Sequence, residues 1–267
     1  MNTPRISASS YSNTAPLIWS FLYGSNHGKV EIILDNAPAR SAQLLSDRHV
    51  DAALVPVIAY QFIDDVLLIP NVCVGAKQQV KSVCIVSKCE LEKVRSVALD
   101  ISSRTSVALT KIIFREFIGS EPLWHDAAPD LANMLADADA AVLIGDPALM
   151  LPAEYTLPDG VVVRKHDLAE LWRRYTGFGF IFAVWMTRLE NYTVDFAAAR
   201  DEGVAHLDDI ISNYQSHITL PREQMRQYLS ESISYKPDES MLAGMNLYFE
   251  LAAKHGLIEN YRKLTYV

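Results

Sequence analysis

The sequence predicts an α/β protein of two lobes with a central ligand cleft, and three observations carry that expectation. Short apolar runs alternate with helical patterns from the first residues, the spacing of βαβ units and a largely parallel sheet. The alternation breaks between about residues 66 and 86, where VLLIPNVCVGA and VKSVCIVS follow each other with only a short polar turn between them. It then resumes as a second α/β unit inserted in the first, and past Leu189 the chain reads as helices alone.

The elements follow in order. RISAS (5–9) reads as a strand, and a helix follows from about Thr14 to Tyr23, with Pro16 in its first turn and Gly24 as its stop. VEIIL (30–34) is a second strand, and the segment from Ala39 to Arg48 is helical, with Ala42 and Leu45 on one face. DAALVPV (51–57) is a nearly unbroken apolar run, as a strand covered on both faces requires. The inserted unit holds SVALD (96–100), a helix from about Ser103 to Phe117, LWHD (123–126), a short helix near Leu131 to Leu135 and AAVLIG (140–145). A helix from Asp167 to Tyr175 and the strand FIFAVWMT (180–187) complete it. The remaining helices fall near 192–202, 204–215, 221–231 and 238–254, the last carrying Leu242, Met245 and Phe249. These patterns divide the chain into a discontinuous first lobe, residues 1–88 and 189–267, and an inserted second lobe, residues 89–188. Such folds bind ligands between lobes, at the carboxyl ends of strands.

Composition narrows the function. At 267 residues, 50% of them hydrophobic, the chain can bury a sizeable core. A net charge of −8 argues against nucleic acid as a partner, because phosphate neutralisation needs clustered Lys and Arg. An anionic small molecule stays compatible, since a local set of donors can oppose the global charge. Cys73, Cys84 and Cys89 have no C-x-x-C spacing, so neither a zinc ribbon nor a redox pair is indicated and reduced thiols are expected. The start MNTPRISASSYSNT lacks the apolar core of a signal peptide, and no segment approaches the roughly 20 apolar residues that span a bilayer. A cytoplasmic protein without membrane contact is therefore expected. The His residues show no H-x-x-x-H or H-x-H pairing, and no metal site is expected. No G-x-x-x-x-G-K-[ST] or G-x-S-x-G occurs, and the G-x-G of TGFGF (176–180) precedes a strand instead of opening a helix. Phosphate-loop and hydrolase-elbow chemistry are unsupported, and no cofactor is expected.

Three stretches place polar groups where strands meet helices, and Ser82 in the two-stranded stretch adds a fourth candidate. SYSNT (10–14) lies between the first strand and the first helix, and puts Asn13 and Thr14 at the helix start. An ordinary cap, worth roughly 1 kcal/mol, is the alternative to a binding role there. SSRTS (102–106) crowds Ser102, Ser103, Arg104, Thr105 and Ser106 onto a helix start that one cap residue would serve. Two helix N-termini facing one cleft, with free N–H groups and positive dipole ends, would suit a ligand with two carboxylates. Arg104 either binds a carboxylate or pairs between lobes. Ser82 either adds a hydroxyl to the same cleft or faces water. In GDP (145–147), Gly145 allows a backbone or ligand to come close, and Asp146 either caps a helix or contacts a ligand hydroxyl.

These stretches, in this order, resemble the chorismate dehydratase family, which opens the futalosine route to menaquinone. The matching segments are SYSNTAPL, VDAALVPVIAY, VKSVCIVSK, ALDISSRTSVALTKII, PDL…LADADAAVLIGDPAL, WRRYTGFGFIFAVW and YLSESISYKPDES…GMNLYFELAAKHGLI, so the resemblance covers essentially the whole chain. SSRTS together with LIGDPAL is specific, whereas VDAALVP alone occurs in many two-lobed solute-binding proteins. Two positions depart from the family pattern. Ser12 stands where Leu is usual and is expected to face away from the ligand. Gly179 stands where T-G-L-P-F has Pro and is expected to loosen the crossing between lobes.

The resemblance implies a type II periplasmic-binding-protein-like fold used as a cytosolic enzyme, a monomer or homodimer acting on a small dianion, chorismate. The implied reaction is a carbon–oxygen hydro-lyase step that removes water to give 3-[(1-carboxyvinyl)oxy]benzoate. It assigns Asn13, Ser82 and Asp146 to catalysis, and Thr14, Ser103, Arg104, Thr105, Ser106 and Gly145 to substrate binding. No paired His or Glu offers itself as base, which leaves the substrate's own side-chain carboxylate as a proton acceptor. Two other readings share the fold: a cytosolic small-anion binding protein, and the 1,4-dihydroxy-6-naphthoate synthase of the same pathway.

Overall fold

The structure, a computed structural model, describes residues 3–157, 160–189 and 194–267. The chain opens with β1 (Arg5–Ser9), a 3₁₀ turn at Ser12–Thr14, α1 (Ala15–Leu22), β2 (Glu31–Asp35), α2 (Pro38–Ser46), β3 (Ala52–Pro56) and β4 (Leu67–Ala76). Next come β5 (Val83–Ser87), β6 (Ser96–Asp100), α3 (Thr105–Ile112) running on as a π-helical turn, β7 (Leu123–Ala127), α4 (Leu131–Asp137), β8 (Ala140–Ile144) and α5 (Gly145–Leu149). After β9 (Glu154–Thr156), β10 (Val162–Asp167), α6 (Leu168–Thr176) and β11 (Phe180–Thr187), the chain ends in α7 (Phe196–Ala205), α8 (Leu207–Tyr214), α9 (Arg222–Gln227) and α10 (Glu239–Lys254). The first residues of the helix expected at 192–202 lie outside the described residues.

Two sheets organise these elements, in the orders β2-β1-β3-β11-β4 and β7-β6-β8-β5-β10-β9. β1 runs parallel to β2 and β3, and β6 parallel to β7 and β8, as βαβ units require. β11 is antiparallel to β3 and β4, and β5 to β8 and β10. The sheets are therefore mixed, not largely parallel, because each crossing strand enters its sheet from the other sheet's side. Sheet membership also shifts the boundaries: β5 belongs to the second sheet and β11 to the first, so the crossings fall near 77–82 and 177–179 and not at 88 and 189. β9 and β10 escaped the sequence reading because their alternation is weak; VVRKHD carries charges suited to strands near a sheet edge. β3 is buried along its whole length, the two-sided cover its apolar run requires.

The crossings are held by two devices. Asp167, at the end of β10, accepts four backbone N–H groups: Val80 (3.1 Å) and Lys81 (2.6 Å) from the first crossing, Ala169 (2.9 Å) and Glu170 (3.1 Å) from the first turn of α6. One carboxylate thus caps a helix and fixes the loop that leads into β5. Trp172, Phe180 and Tyr248, from α6, β11 and α10, meet edge to face with centroids 5.5 Å and 5.1 Å apart along the chain of rings. The Tyr248 hydroxyl donates to the Thr105 carbonyl at 3.1 Å, which ties α10 to the start of α3.

Gly179 does not loosen the second crossing. A Cβ there would stand 2.7 Å from Met241 Cγ and 3.0 Å from the Ala76 carbonyl, and its own N–H donates to Ser240 Oγ at 3.1 Å. The missing side chain lets β11 and α10 close on the first crossing. Gly179→Ala is expected to cost about 1–3 kcal/mol by overpacking, read as a lower urea midpoint with unchanged slope. An unchanged midpoint would show the crossing to be slack.

Candidate active site

A chamber lies between the two sheets, at the carboxyl ends of β1, β3 and β8. Asn13 and Thr14 from the first helix start line it, with Ser103, Thr105 and Ser106 from the start of α3, Gly145 at α5, Pro38 at α2, and an apolar wall that includes Val74, Val83, Ile144 and Phe182. Helix starts belonging to both sheets therefore face one space, the arrangement expected from SYSNT and SSRTS. Among the described residues, no Asp, Glu, Lys, Arg or His lines it. A bound anion would be met by hydroxyls and an amide beside the positive ends of two helices, with no formal positive charge. The free volume is about 60 Å³, well short of the roughly 150 Å³ that holds a benzene-sized guest, so a ring-bearing ligand requires the walls to part.

The polar residues divide their duties. The Thr14 hydroxyl contacts the carbonyls of Ser9 (2.6 Å) and Tyr11 (2.8 Å), which shapes the turn carrying Asn13. Asn13 is buried on the chamber wall, and its Oδ1 has no hydrogen-bond partner. In the second motif Ser103 does the capping, its Oγ accepting from the Ser106 N–H at 3.2 Å. Ser102 instead donates from both its N–H (2.9 Å) and its hydroxyl to Asp100, at the end of β6. The Thr105 hydroxyl receives the Ile58 N–H at 3.4 Å, a contact that reaches from the first sheet's elements to α3.

Arg104, expected to bind substrate, is exposed and off the chamber wall. It is the last residue before α3 begins, and the turn that sends Ser103, Thr105 and Ser106 inward sends its side chain out. Ser82 is fully buried, neither facing water nor reaching the chamber surface; its hydroxyl has only a 3.4 Å contact to the Val80 carbonyl.

Asp146 is also placed differently from its expected contact with the ligand. Its carboxylate accepts the Ser12 N–H at 3.2 Å and the Ser12 hydroxyl, and it lines a separate outer groove with Trp19, Met150 and Tyr214. Ser12 does face away from the chamber, and it has a partner there. Burial raises the Asp146 pKa, against the opposing pull of the two Ser12 donors. Tyr11 was not singled out by the sequence. Its ring lies between chamber and groove, so close to Gly145 that a Cβ there would stand 2.7 Å from it. Gly145 also has φ +68°, which L side chains resist. Burial pushes the Tyr11 phenol up, Ser102 opposes that, and the charges of Asp100 and Asp146 add to it. Tyr11 stands inside the quoted SYSNT, and an aromatic beside a helix start facing a glycine strand end was the available signal.

A chamber between two α/β sheets joined by crossing strands defines a periplasmic-binding-protein-like fold. A solved protein of Archaeoglobus fulgidus superposes with a TM-score of 0.75 at 17% identity, covering 96% of this chain and 98% of that one. The periplasmic aliphatic sulphonate binding protein SsuA of Escherichia coli gives 0.60 at 15% identity, covering 99% and 93%. Residues 4–254 match the model of a family described as menaquinone biosynthesis, and the chain belongs to that family. The chorismate dehydratase of Thermus thermophilus is 32% identical over 194 residues, 67% of this chain and 71% of that protein.

The Asp146 contact has a pH signature. Its folded-state pKa is raised above the ordinary 3.8, so the folded chain holds this proton more tightly than the unfolded chain does. Stability it contributes at low pH is lost as pH climbs through the ordinary value toward the raised one. In urea titrations, Asp146→Asn is expected to gain on the wild type as pH rises above about 4. A difference that stays flat, or moves the other way, contradicts this.

Proposed function

We propose that this protein removes water from chorismate to give 3-[(1-carboxyvinyl)oxy]benzoate, a hydro-lyase step in menaquinone biosynthesis by the futalosine route, carried out in the cytosol. The observation that carries the reading is the chamber itself: Ser and Thr hydroxyls and the Asn13 amide set at two facing helix starts, with no charged side chain among the described residues of the wall. The 32% identity to a chorismate dehydratase supports the choice of dianion.

The chemistry asked of the chain is modest. The ring proton beside the enol ether is acidified through the conjugated ring carboxylate, so donors on that carboxylate stabilise the dienolate-like transition state. The hydroxyls of Ser103, Thr105 and Ser106 supply them. Asn13 and the first helix start orient the other end of the substrate, and the buried Ser82 precedes Val83 of the chamber wall. The wall offers no carboxylate or imidazole base, so the substrate's side-chain carboxylate takes the ring proton, held within reach by the chamber. The C–H electron pair moves into the ring, the neighbouring hydroxyl leaves with its bonding pair and is protonated to water, and the ring becomes aromatic. Asp146 and Arg104 stand outside these steps.

Purified protein incubated with chorismate is expected to yield an ultraviolet-absorbing aromatic product with the mass of chorismate less one water. Tight binding without product would favour the solute-binder reading. Asn13→Ala is expected to lower kcat/KM by about 100-fold or more, and a variant at wild-type kcat/KM would remove Asn13 from the mechanism.

A further inference from the structure

Behind the chamber wall stands Tyr228, which opens a π-helical turn at Tyr228–Ser232 between α9 and α10. It is 1% exposed, and its hydroxyl has no hydrogen-bond partner. Burial pushes the phenol far above its ordinary value, and the side chains of Ser82 and Asn13, which lie against it, act in the opposite direction. No hydrogen bond closes between either of them and the phenol. Asn13 Oδ1 is equally without a partner, and Ser82 is 0% exposed with only its long contact to Val80. Three buried polar groups, from the first helix start, the first crossing and the C-terminal helices, thus meet with bonding capacity unspent. Buried polar atoms are rarely left so, and each such case calls for a use.

An amide has two ends, and which end faces the chamber decides what it can bind. A donor behind Asn13 that takes its Oδ1 leaves the NH₂ group facing inward, where an anion or a leaving oxygen needs a donor. A phenol kept protonated by burial is such a donor. We propose that Tyr228 is a positioning residue, whose O–H donates to Asn13 Oδ1 when a ligand fills the chamber and so turns the Asn13 NH₂ group toward that ligand. The Ser82 hydroxyl donates in turn to the Tyr228 oxygen, completing a chain from Ser82 through Tyr228 and Asn13 to the ligand. This rests on the functional reading above, in which Asn13 meets the substrate.

Tyr228→Phe removes one oxygen and keeps the ring. With chorismate as substrate, its kcat is expected to fall about 10- to 100-fold while KM stays within about twofold, since the bond tightens on the reacting state. The Tm of the ligand-free variant is expected to hold or rise, because the hydroxyl removed has no partner there. In an Asn13→Ala background the same change is expected to cost nothing further, since Tyr228 acts only through Asn13. A Tyr228→Phe enzyme with wild-type kcat overturns the inference. So does a lowered Tm with kcat intact, the mark of a purely structural hydroxyl, and so does a full additional loss in the Asn13→Ala background. Wild-type protein that leaves chorismate unchanged overturns the functional reading and takes this inference with it. Wild-type turnover beside an undiminished Tyr228→Phe overturns this inference alone.

Discussion

The geometry of the chamber depends on the carboxylate of Asp167 and the four N–H groups it gathers. Two come from the first crossing and two from the opening turn of α6, whose far end leads into the second crossing. The chain between the sheets is thereby clamped at the point where it enters β5 and brings Ser82 to its buried place. Burial raises the pKa of Asp167 while the four donors pull it down, the tension expected of a carboxylate used as a structural bolt. The aromatic contacts of Trp172, Phe180 and Tyr248 then carry the same rigidity across to α10 and, through the Tyr248 hydroxyl, to the start of α3. Both walls of the chamber are referenced to one set of contacts.

A protein of net charge −8 that receives a dianion must solve a local problem against its global field. Lysine or arginine in the chamber would attract the ligand, but would also hold a developing negative charge where it stands. The transition state proposed here spreads charge over a conjugated ring and carboxylate, and dispersed neutral donors match a dispersed charge without a fixed counter-ion. Hydroxyls carried on helix starts supply such donors at little cost in ordering, because the backbone fixes their place before any ligand arrives. Opening is still required, since the closed space is smaller than the ring it would hold. The neutral wall then has a second consequence: no ion pair across the chamber resists the separation of its sides.

Much of the fold was legible because its elements obey local rules. The apolar run 51–57, the Pro16 helix start and the strand at 180–187 each follow from pattern alone, and each stands where expected. The missed strands, β9 and β10, have little alternation to read. Their place comes from pairing with β5, which is information distant in sequence. The same division holds at the site. Asn13, Thr14, Ser103, Thr105 and Ser106 announce themselves by crowding helix starts, a local signal. Tyr228 carries no local mark and reaches the site only through the packing of α9 and α10. Asp167 was legible as the start of a helix but not as the clamp on a loop 86 residues earlier.

Ser12 shows how a buried hydroxyl is satisfied by a distant residue. A serine hydroxyl sealed at 0% exposure is unfavourable unless it is paired. Its partner is Asp146, 134 residues away, which accepts both the hydroxyl and the N–H of Ser12. So paired, Asp146 lines the outer groove and not the chamber. A carboxylate on the chamber wall would oppose an incoming dianion and would discourage ionisation of the ring carbon beside it. Ser12 therefore does more than fill a buried space. It removes a negative charge from the one surface where the proposed chemistry excludes it, and it leaves Tyr11 and Gly145 as the neutral seam between groove and chamber.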